Sequence, residues 1–226
     1  MKRTIDKIAD ISHPSLDILK SYFENLEFNY NDFPELHNIT LYKKKGVEKI
    51  KGNVVQDLNE TTIASIVPNT IIKEIYNFVE YLKSIYNLDI IWLMMYTPNT
   101  HLSFHIDDNS NRHLINVFDH ERFFNYECAE NNVSNCEMYT QKMKDSIANI
   151  DEFNEFFINF NPTKNSIKVI ESNAIYVFNS SIHTFFNGSD KLRVNFVFET
   201  EDGRKKESDL IEIDPPLPTK NPRNLL

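Results

Sequence analysis

The second half of the chain is a series of short segments rich in β-branched and aromatic residues. Asn, Asp, Ser or Gly residues separate these segments, as they separate strands from turns. A series of this kind predicts an all-β sandwich or barrel. The segments cover residues 89–97, 102–106, 113–118, 122–127, 136–142, 166–171, 174–178, 182–186 and 192–199.

Other parts of the chain carry helical signals. Apolar residues recur at three- and four-residue steps over residues 14–26 and 69–88, which predicts two amphipathic helices. Residues 144–160 have the same spacing, so we expect a helix inserted between strands. Residues 29–68 give mixed signals, with short strand-like segments at 39–42 and 54–55.

These signals divide a single domain, residues 1–226, into three parts. We expect helical support in residues 1–88, a β core in residues 89–200 with an insertion at 125–165, and an extended tail in residues 201–226. The tail is charged and then ends in PPLPTKNPRNLL, where the prolines exclude a regular helix or a central strand.

Charge and composition exclude several classes of protein. The sequence has 24 Lys and Arg against 33 Asp and Glu, a formal charge of −9, so we expect no nucleic-acid partner. Cys128 and Cys136 form no CxxC pair, which argues against a disulfide scaffold and a cysteine zinc site. The N-terminus lacks an apolar signal core, and the longest apolar run, 90–96, is far shorter than the roughly 20 residues that cross a bilayer. We therefore expect a cytoplasmic protein with no membrane partner, located in the host cytoplasm if it is of phage origin.

The first candidate for a chemical site is the pair His105 and Asp107 in HLSFHIDDNSNRHLINV. Alternate side chains of an extended segment point the same way, so this imidazole and carboxylate converge on one point. Together they are half of a metal site. Taken alone, the pattern is more often a surface pair or a loop hydrogen bond than a pair of ligands.

A further histidine and an arginine follow in AIYVFNSSIHTFFNGSDKLRVNFVFE. His183 is the only imidazole downstream of His120, so no other histidine from a distant later strand is present to complete the site. A lone His among Phe and Ile is otherwise more often a hydrogen-bonded core residue. Arg193 comes ten residues later, and a reversal at Asn187 and Gly188 returns it to the level of His183. A guanidinium near a metal suits a bidentate clamp on a carboxylate, whereas without ligands nearby an exposed arginine is the favoured interpretation.

In this order and spacing, His-x-Asp, a later His and an Arg ten residues further on resemble the Fe(II)/2-oxoglutarate-dependent oxygenases. The flanking residues resemble the aspartyl/asparaginyl/prolyl hydroxylase-like branch. In that branch the first ligand pair precedes a His-Leu-Ile-type strand, here residues 113–115. The later His precedes an Asn-containing turn and the Arg strand, here HTFFNGSDKLRVNFVF. The resemblance covers about residues 91–199, near half of the chain.

The resemblance implies a fold and a ligand set. The fold is mainly β (α+β), a double-stranded β-helix or jelly-roll, cupin-like barrel with N-terminal supporting helices. Iron lies at the open mouth of such a barrel, held by two histidines and one carboxylate that leave three positions free. In this chain the implied Fe(II) ligands, which are also the catalytic residues, are His105, Asp107 and His183.

The resemblance also implies residues that bind the cosubstrate 2-oxoglutarate. Arg193 would pair with its far carboxylate, and His113 and Tyr96 would be further cofactor-binding residues, although Tyr96 is equally well explained as a barrel aromatic. The arginine sometimes found two residues before this histidine is Asn111 here. Arg112 is adjacent to Asn111, so we expect it to face away from the site.

The implied activity is hydroxylation of an amino-acid side chain of the Asp, Asn or Pro type, free or in a peptide or protein. O2 and 2-oxoglutarate are consumed, and succinate and CO2 are the co-products. The carboxylate of Asp107 favours hydroxylation, because related halogenases lack it. Two alternatives stay open: a zinc hydrolase with the same three ligands, and a jelly-roll binding or structural protein, such as a particle protein, whose His and Asp residues are incidental.

Overall fold

Ten strands and four α-helices form the part of the chain that the structure, a computed structural model, describes. This part comprises residues 5–27, 36–45, 67–107, 112–128, 130, 132–147, 149–178 and 181–204. The helices are α1 (Pro14–Glu24), α2 (Asn69–Ile85), α3 (Glu137–Asp145) and α4 (Ile150–Phe160), with a 3₁₀-helix at Val133–Cys136. The strands are β1 (Ile5–Asp10), β2 (Leu36–Lys43), β3 (Tyr86–Tyr96), β4 (Thr100–His101), β5 (Arg112–Asn116), β6 (Phe123–Cys128), β7 (Asn165–Ile167), β8 (Ala174–Phe178), β9 (Ile182–Asn187) and β10 (Arg193–Arg204).

The strands pair into two antiparallel sheets. The six-stranded sheet has the order β1-β8-β5-β10-β3-β2, and the four-stranded sheet has the order β4-β9-β6-β7. From β3 onward the chain crosses repeatedly between them, since β3, β5, β8 and β10 belong to the first sheet and β4, β6, β7 and β9 to the second. Eight strands distributed in this way over two antiparallel sheets form a jelly roll. The predicted double-stranded β-helix is therefore confirmed.

Successive side chains of β10 point to opposite faces of the six-stranded sheet. On the outer face, Val194, Phe196 and Phe198 join a buried cluster with α1 and α2. The ring centroids of Phe78 in α2 and Phe196 lie 4.9 Å apart, so the helix packs directly on the strand. On the inner face, apolar side chains from both sheets fill the space between them, and these include Tyr96, Leu114, Tyr176, Phe178, Phe185 and Val197.

The N-terminal region supplies strands as well as the predicted helices. β1 pairs with β8 and β2 pairs with β3, so this region forms both edges of the six-stranded sheet. The sequence carries no strand signal at β1, because most residues of this edge strand are exposed and the apolar residues do not alternate. α2 ends at Ile85 rather than at residue 88, since the chain enters β3 directly at Tyr86. The strand-like segment at 54–55 lies outside the described residues.

The insertion between β6 and β7 is helical and packs on the outer face of the four-stranded sheet. The strand predicted at 136–142 is therefore wrong, because this stretch forms the end of the 3₁₀-helix and most of α3. Tyr139 and Met143 are four residues apart, which places both on the buried face of a helix. They pack with Phe153 and Phe157 of α4 against Tyr126 of β6.

Cys128 and Cys136 are buried beside these aromatic rings. Both are free thiols, and their sulfurs lie 3.4 Å apart. A disulfide bond would bring them to about 2.05 Å. They therefore act as small buried side chains in the core of the insertion.

Strand β10 extends into the region that was predicted to be a tail. β10 continues to Arg204, so the first residues of the predicted tail belong to a strand, and residues 205–226 lie outside the described part. No helix within the described ranges is both long enough and apolar enough to cross a membrane.

Candidate metal centre

A backbone pair between the two sheet segments brings His105 and His183 together. The N–H of His105 donates to the carbonyl of His183 at 3.0 Å, and the N–H of His183 donates to the carbonyl of His105 at 2.9 Å. Residues that exchange both hydrogen bonds in an antiparallel pair present their side chains on the same face. Their ring centroids accordingly lie 4.4 Å apart.

Asp107 completes the cluster. Its Oδ1 lies 3.7 Å from Nε2 of His105, and its Oδ2 lies 3.5 Å from Nε2 of His183. One donor atom from each of the three residues lies within 4.8 Å of the others. The structure thus brings together the three side chains that the sequence proposes as ligands, although they come from distant segments.

Backbone carbonyls orient both imidazoles. Nδ1 of His105 lies 2.8 Å from the carbonyl of Ser103, and Nδ1 of His183 lies 2.9 Å from the carbonyl of Ser181. Since a carbonyl can only accept, we assign the ring proton of each histidine to Nδ1. In a neutral imidazole this leaves the lone pair on Nε2, the nitrogen nearer Asp107, and such anchoring is typical of histidines that bind metals.

His183 is neutral near pH 7. Burial lowers its pKa from the ordinary value of 6.5 to about 4, and the adjacent His105 acts in the same direction, against the opposing effect of Asp107. Two imidazole lone pairs and a carboxylate so close together repel one another unless a cation lies between them. Two nitrogens and one oxygen suit Fe(II) or Zn(II), so the residues fit a metal ion, and the cluster is a candidate metal centre.

Arg193 lies inside the barrel near the same strands, completely buried. Its Nη1 donates to the carbonyls of Phe124 and Phe186 at 2.9 and 3.2 Å, and its Nη2 donates to Oδ1 of Asn125. Nε has no acceptor among the described residues. Since a guanidinium has five N–H donors, these three contacts leave donors for a further acceptor.

The charge of Arg193 lacks a carboxylate partner in the described ranges. Burial lowers its pKa to about 10, and the groups that oppose this effect are the hydroxyls of Tyr96 and Tyr126 rather than an Asp or Glu. Buried charges are normally paired, so this position is suited to an anion that arrives with a ligand. The interpretation of Arg193 as an exposed residue is excluded.

Tyr96 lies beside Arg193 on the inner face. The two residues are directly opposite in the pairing of β3 with β10, and the guanidinium carbon lies 5.9 Å from the centre of the tyrosine ring. Burial raises the pKa of Tyr96 above its usual value, so its hydroxyl keeps its proton. That proton is directed at Sδ of Met94, 3.8 Å away, a weak acceptor that leaves the hydroxyl able to turn to a stronger one.

The structure corrects the expected positions of His113 and Arg112. His113 stacks on Phe198, with centroids 4.9 Å apart, and so lies on the outer face of β5 beneath the helices. It cannot contact a ligand inside the barrel from there. Arg112, which was expected to face away, instead donates to Oδ1 of Asp107. Both errors have one cause: adjacent strand residues face opposite ways, and Arg112, not His113, has the inward position. Asn111 lies outside the described residues.

Glu199 is a site residue that the sequence analysis misses. It is buried on the inner face of β10 and accepts from Nε and Nη2 of Arg112 at 2.9 and 2.6 Å. A signal exists in the sequence, because Glu199 has the same strand parity as Arg193 and so must share its face. The alternating apolar residues of β10 lie on the opposite face, so the apolar pattern alone does not indicate Glu199.

No protein-family model matches the sequence, and the search of curated proteins finds no match either. Among solved structures, the chain is similar to the Drosophila melanogaster CENP-C cupin domain, at 13% identity and a TM-score of 0.30, over 49% of this chain and 59% of that one. It is also similar to HygX from Streptomyces hygroscopicus, solved with nickel, 2-oxoglutarate and hygromycin B bound. That match has 10% identity and a TM-score of 0.39, over 88% of this chain and 83% of that one. The chain thus spans less than two thirds of the CENP-C cupin domain.

The low pKa of His183 predicts a pH dependence of stability in metal-free protein. Below pH 6.5 the unfolded chain binds a proton at this residue, whereas the folded protein does not until about pH 4. The free energy of unfolding should therefore fall as the pH is lowered through this window, by on the order of 1 kcal/mol per pH unit. Urea unfolding with EDTA present measures this slope, and His183→Gln should reduce it. Equal slopes in wild type and variant would contradict the assignment.

Proposed function

We propose that this protein is a non-haem Fe(II)/2-oxoglutarate-dependent dioxygenase that hydroxylates an amino-acid side chain. The observation that carries the proposal is the buried guanidinium of Arg193, which has no carboxylate partner among the described residues. The same barrel holds the candidate metal ligands. A metal-binding dicarboxylate would occupy both places at once, with one end at the metal and the other at the arginine.

The charges around the site support a dication and a dianion binding together. Arg112 binds two carboxylates, Asp107 and Glu199, and the second buried guanidinium, Arg193, brings the sum of these four charges to zero. Glu127, opposite His183, does not change this balance because it is paired with Lys168. Fe(II) and 2-oxoglutarate together add no net charge to this balance. Either one alone would leave two uncompensated charges in a poorly solvated interior, so each should bind better in the presence of the other.

The protein's own residues would bind and orient. His105, Asp107 and His183 would hold Fe(II), with the two imidazoles fixed through the carbonyls of Ser103 and Ser181. Bound Fe(II) supplies, with 2-oxoglutarate and O2, the oxidising power to hydroxylate an unactivated C–H bond, with succinate and CO2 as co-products.

The cosubstrate end of the site would be built from Arg193 and Tyr96. Arg193 would receive the far carboxylate through the N–H donors that its three protein acceptors leave. The protonated hydroxyl of Tyr96 would add a donor. The surrounding apolar cluster excludes water from the bound cosubstrate.

The substrate would approach from the side of His105. Its side chain is 35% exposed, whereas those of His183 and Asp107 are 1% and 3% exposed. The candidate ligand His105 would therefore lie at the open edge of the cluster. The substrate class, an Asp-, Asn- or Pro-type side chain that is free or in a peptide, follows from the resemblance of the motif and its flanks to the hydroxylase branch.

The alternatives account for less of the site. A zinc hydrolase would use the same three ligands, and a binding or structural jelly roll would use none of them. Neither gives a purpose to a completely buried arginine without a carboxylate partner in the described residues.

Anaerobic addition of Fe(II) and 2-oxoglutarate should produce a visible charge-transfer band, since the keto acid would bind the metal directly. Asp107→Ala or His183→Ala should abolish the band, because each removes a ligand from the cluster. His101→Ala is the control, because His101 lies outside that cluster, and its band should persist. A band that survives both ligand substitutions would contradict the ligand assignment, and tight zinc binding without 2-oxoglutarate turnover would favour the hydrolase.

Replacing Arg193 by Met should weaken 2-oxoglutarate binding by a factor of about 30 to 1,000, the usual effect of removing one partner of a buried charged pair. The affinity for the metal alone should not fall, since Arg193 contacts none of the three candidate ligands and its positive charge does not favour a cation. Titrations with each ligand measure both constants. Arg122→Met is the matched control, because Arg122 is partly exposed and binds the carbonyl of Gly188. An unchanged 2-oxoglutarate affinity in Arg193→Met would contradict the proposal.

A further inference from the structure

Arg112 connects the candidate ligand Asp107 to a second buried carboxylate. Its Nη1 donates to Oδ1 of Asp107, while its Nε and Nη2 both donate to Oε1 of Glu199. Its guanidinium carbon also lies over the ring of Trp92, 5.4 Å from the centroid. An arginine held by three groups cannot turn away from Asp107 without breaking its other contacts.

The two oxygens of Asp107 consequently have different surroundings. Oδ1 accepts a hydrogen bond from Arg112 and lies 3.7 Å from Nε2 of His105, whereas Oδ2 lies 3.5 Å from Nε2 of His183. The side chain of Asp107 is only 3% exposed, so solvent does not even out this difference. When a fixed donor binds one oxygen of a carboxylate, the other oxygen is the one available to bind a cation.

We propose that Arg112 is a positioning residue that, held by Glu199 and Trp92, makes Asp107 a metal ligand through Oδ2 alone. This inference rests on the metal centre of the proposed function, but not on the identity of the cosubstrate. By occupying Oδ1, Arg112 preserves a position on the metal that a carboxylate binding through both oxygens would fill.

The same contacts give Arg112 and Glu199 opposite effects on metal affinity. The positive charge of Arg112 beside Asp107 repels a cation, and the negative charge of Glu199 offsets that repulsion. Loss of the Arg112 charge should therefore tighten metal binding, and loss of the Glu199 charge should weaken it. A merely structural ion pair would behave differently, because loss of either partner would loosen the site and weaken binding.

Co(II) binding to the wild type, Arg112→Gln and Glu199→Gln tests this proposal. Calorimetric titration with Co(II) alone should show a dissociation constant at least about tenfold lower for Arg112→Gln and higher by a similar factor for Glu199→Gln. The visible spectrum of bound Co(II) should change in Arg112→Gln, which frees Oδ1 of Asp107, and should keep its wild-type shape in Glu199→Gln. Equal or weaker binding by folded Arg112→Gln would overturn the proposal.

Two further variants control the experiment. Arg122→Gln removes an arginine that contacts the carbonyl of Gly188 instead of the cluster, so neither the affinity nor the spectrum should change. Arg112→Lys serves as the test if Arg112→Gln does not fold. Lysine keeps the positive charge but lacks the planar guanidinium that binds Asp107 and Glu199 together. The Co(II) spectrum should therefore change, while the Co(II) affinity should stay within about threefold. An unchanged spectrum in Arg112→Lys would also count against the proposal. Wild-type protein that binds no Co(II) would instead overturn the metal centre, on which the proposed function also depends.

Discussion

The site depends on one backbone pairing, the reciprocal hydrogen bonds between His105 and His183. This pair ties the segment after β4 to β9 and presents both imidazoles on the inner face of the barrel. Asp107 then reaches the same point because it lies two residues beyond His105 in an extended segment. The turn that follows β9 carries the chain across to the other sheet, where β10 begins with Arg193. A single jelly-roll crossover thus positions both His183, a candidate metal ligand, and the buried cation of Arg193.

The β architecture follows from patterns that recur along the chain, and the resemblance of the His-x-Asp, His and Arg motif to a known family adds the jelly roll. Short alternating segments with polar turns between them indicate strands, and β10 shows this most clearly, with Val194, Phe196 and Phe198 on the outer face. The errors arise where a local pattern is shared by two structures. The stretch at 136–142 has strand-forming residues, but the helix-period burial of Tyr139 and Met143 decides its structure. An exposed edge strand such as β1 carries almost no signal at all.

The placement of the three candidate ligands was predicted better than that of the residues around them. The order and spacing of His105, Asp107 and His183 resemble those of a known family, and that resemblance indicates that the three side chains meet. Whether Arg112 or His113 points inward depends on which alternate residues of β5 face the barrel interior. Leu114 and Ile115 are both apolar, so the sequence does not show which of the two faces is the inner one. Strand parity places Glu199 on the inner face, but its contact with Arg112 follows only from the pairing of β5 with β10, which no local pattern specifies.

The most direct measurement of the central claim is an anaerobic crystal structure of the protein soaked with Mn(II) and 2-oxoglutarate. Anomalous density is expected between Nε2 of His105, Nε2 of His183 and the carboxylate of Asp107. The keto acid is also expected to extend from that density to the guanidinium of Arg193. Metal bound elsewhere, or a keto acid that leaves Arg193 without a carboxylate partner, would contradict that claim.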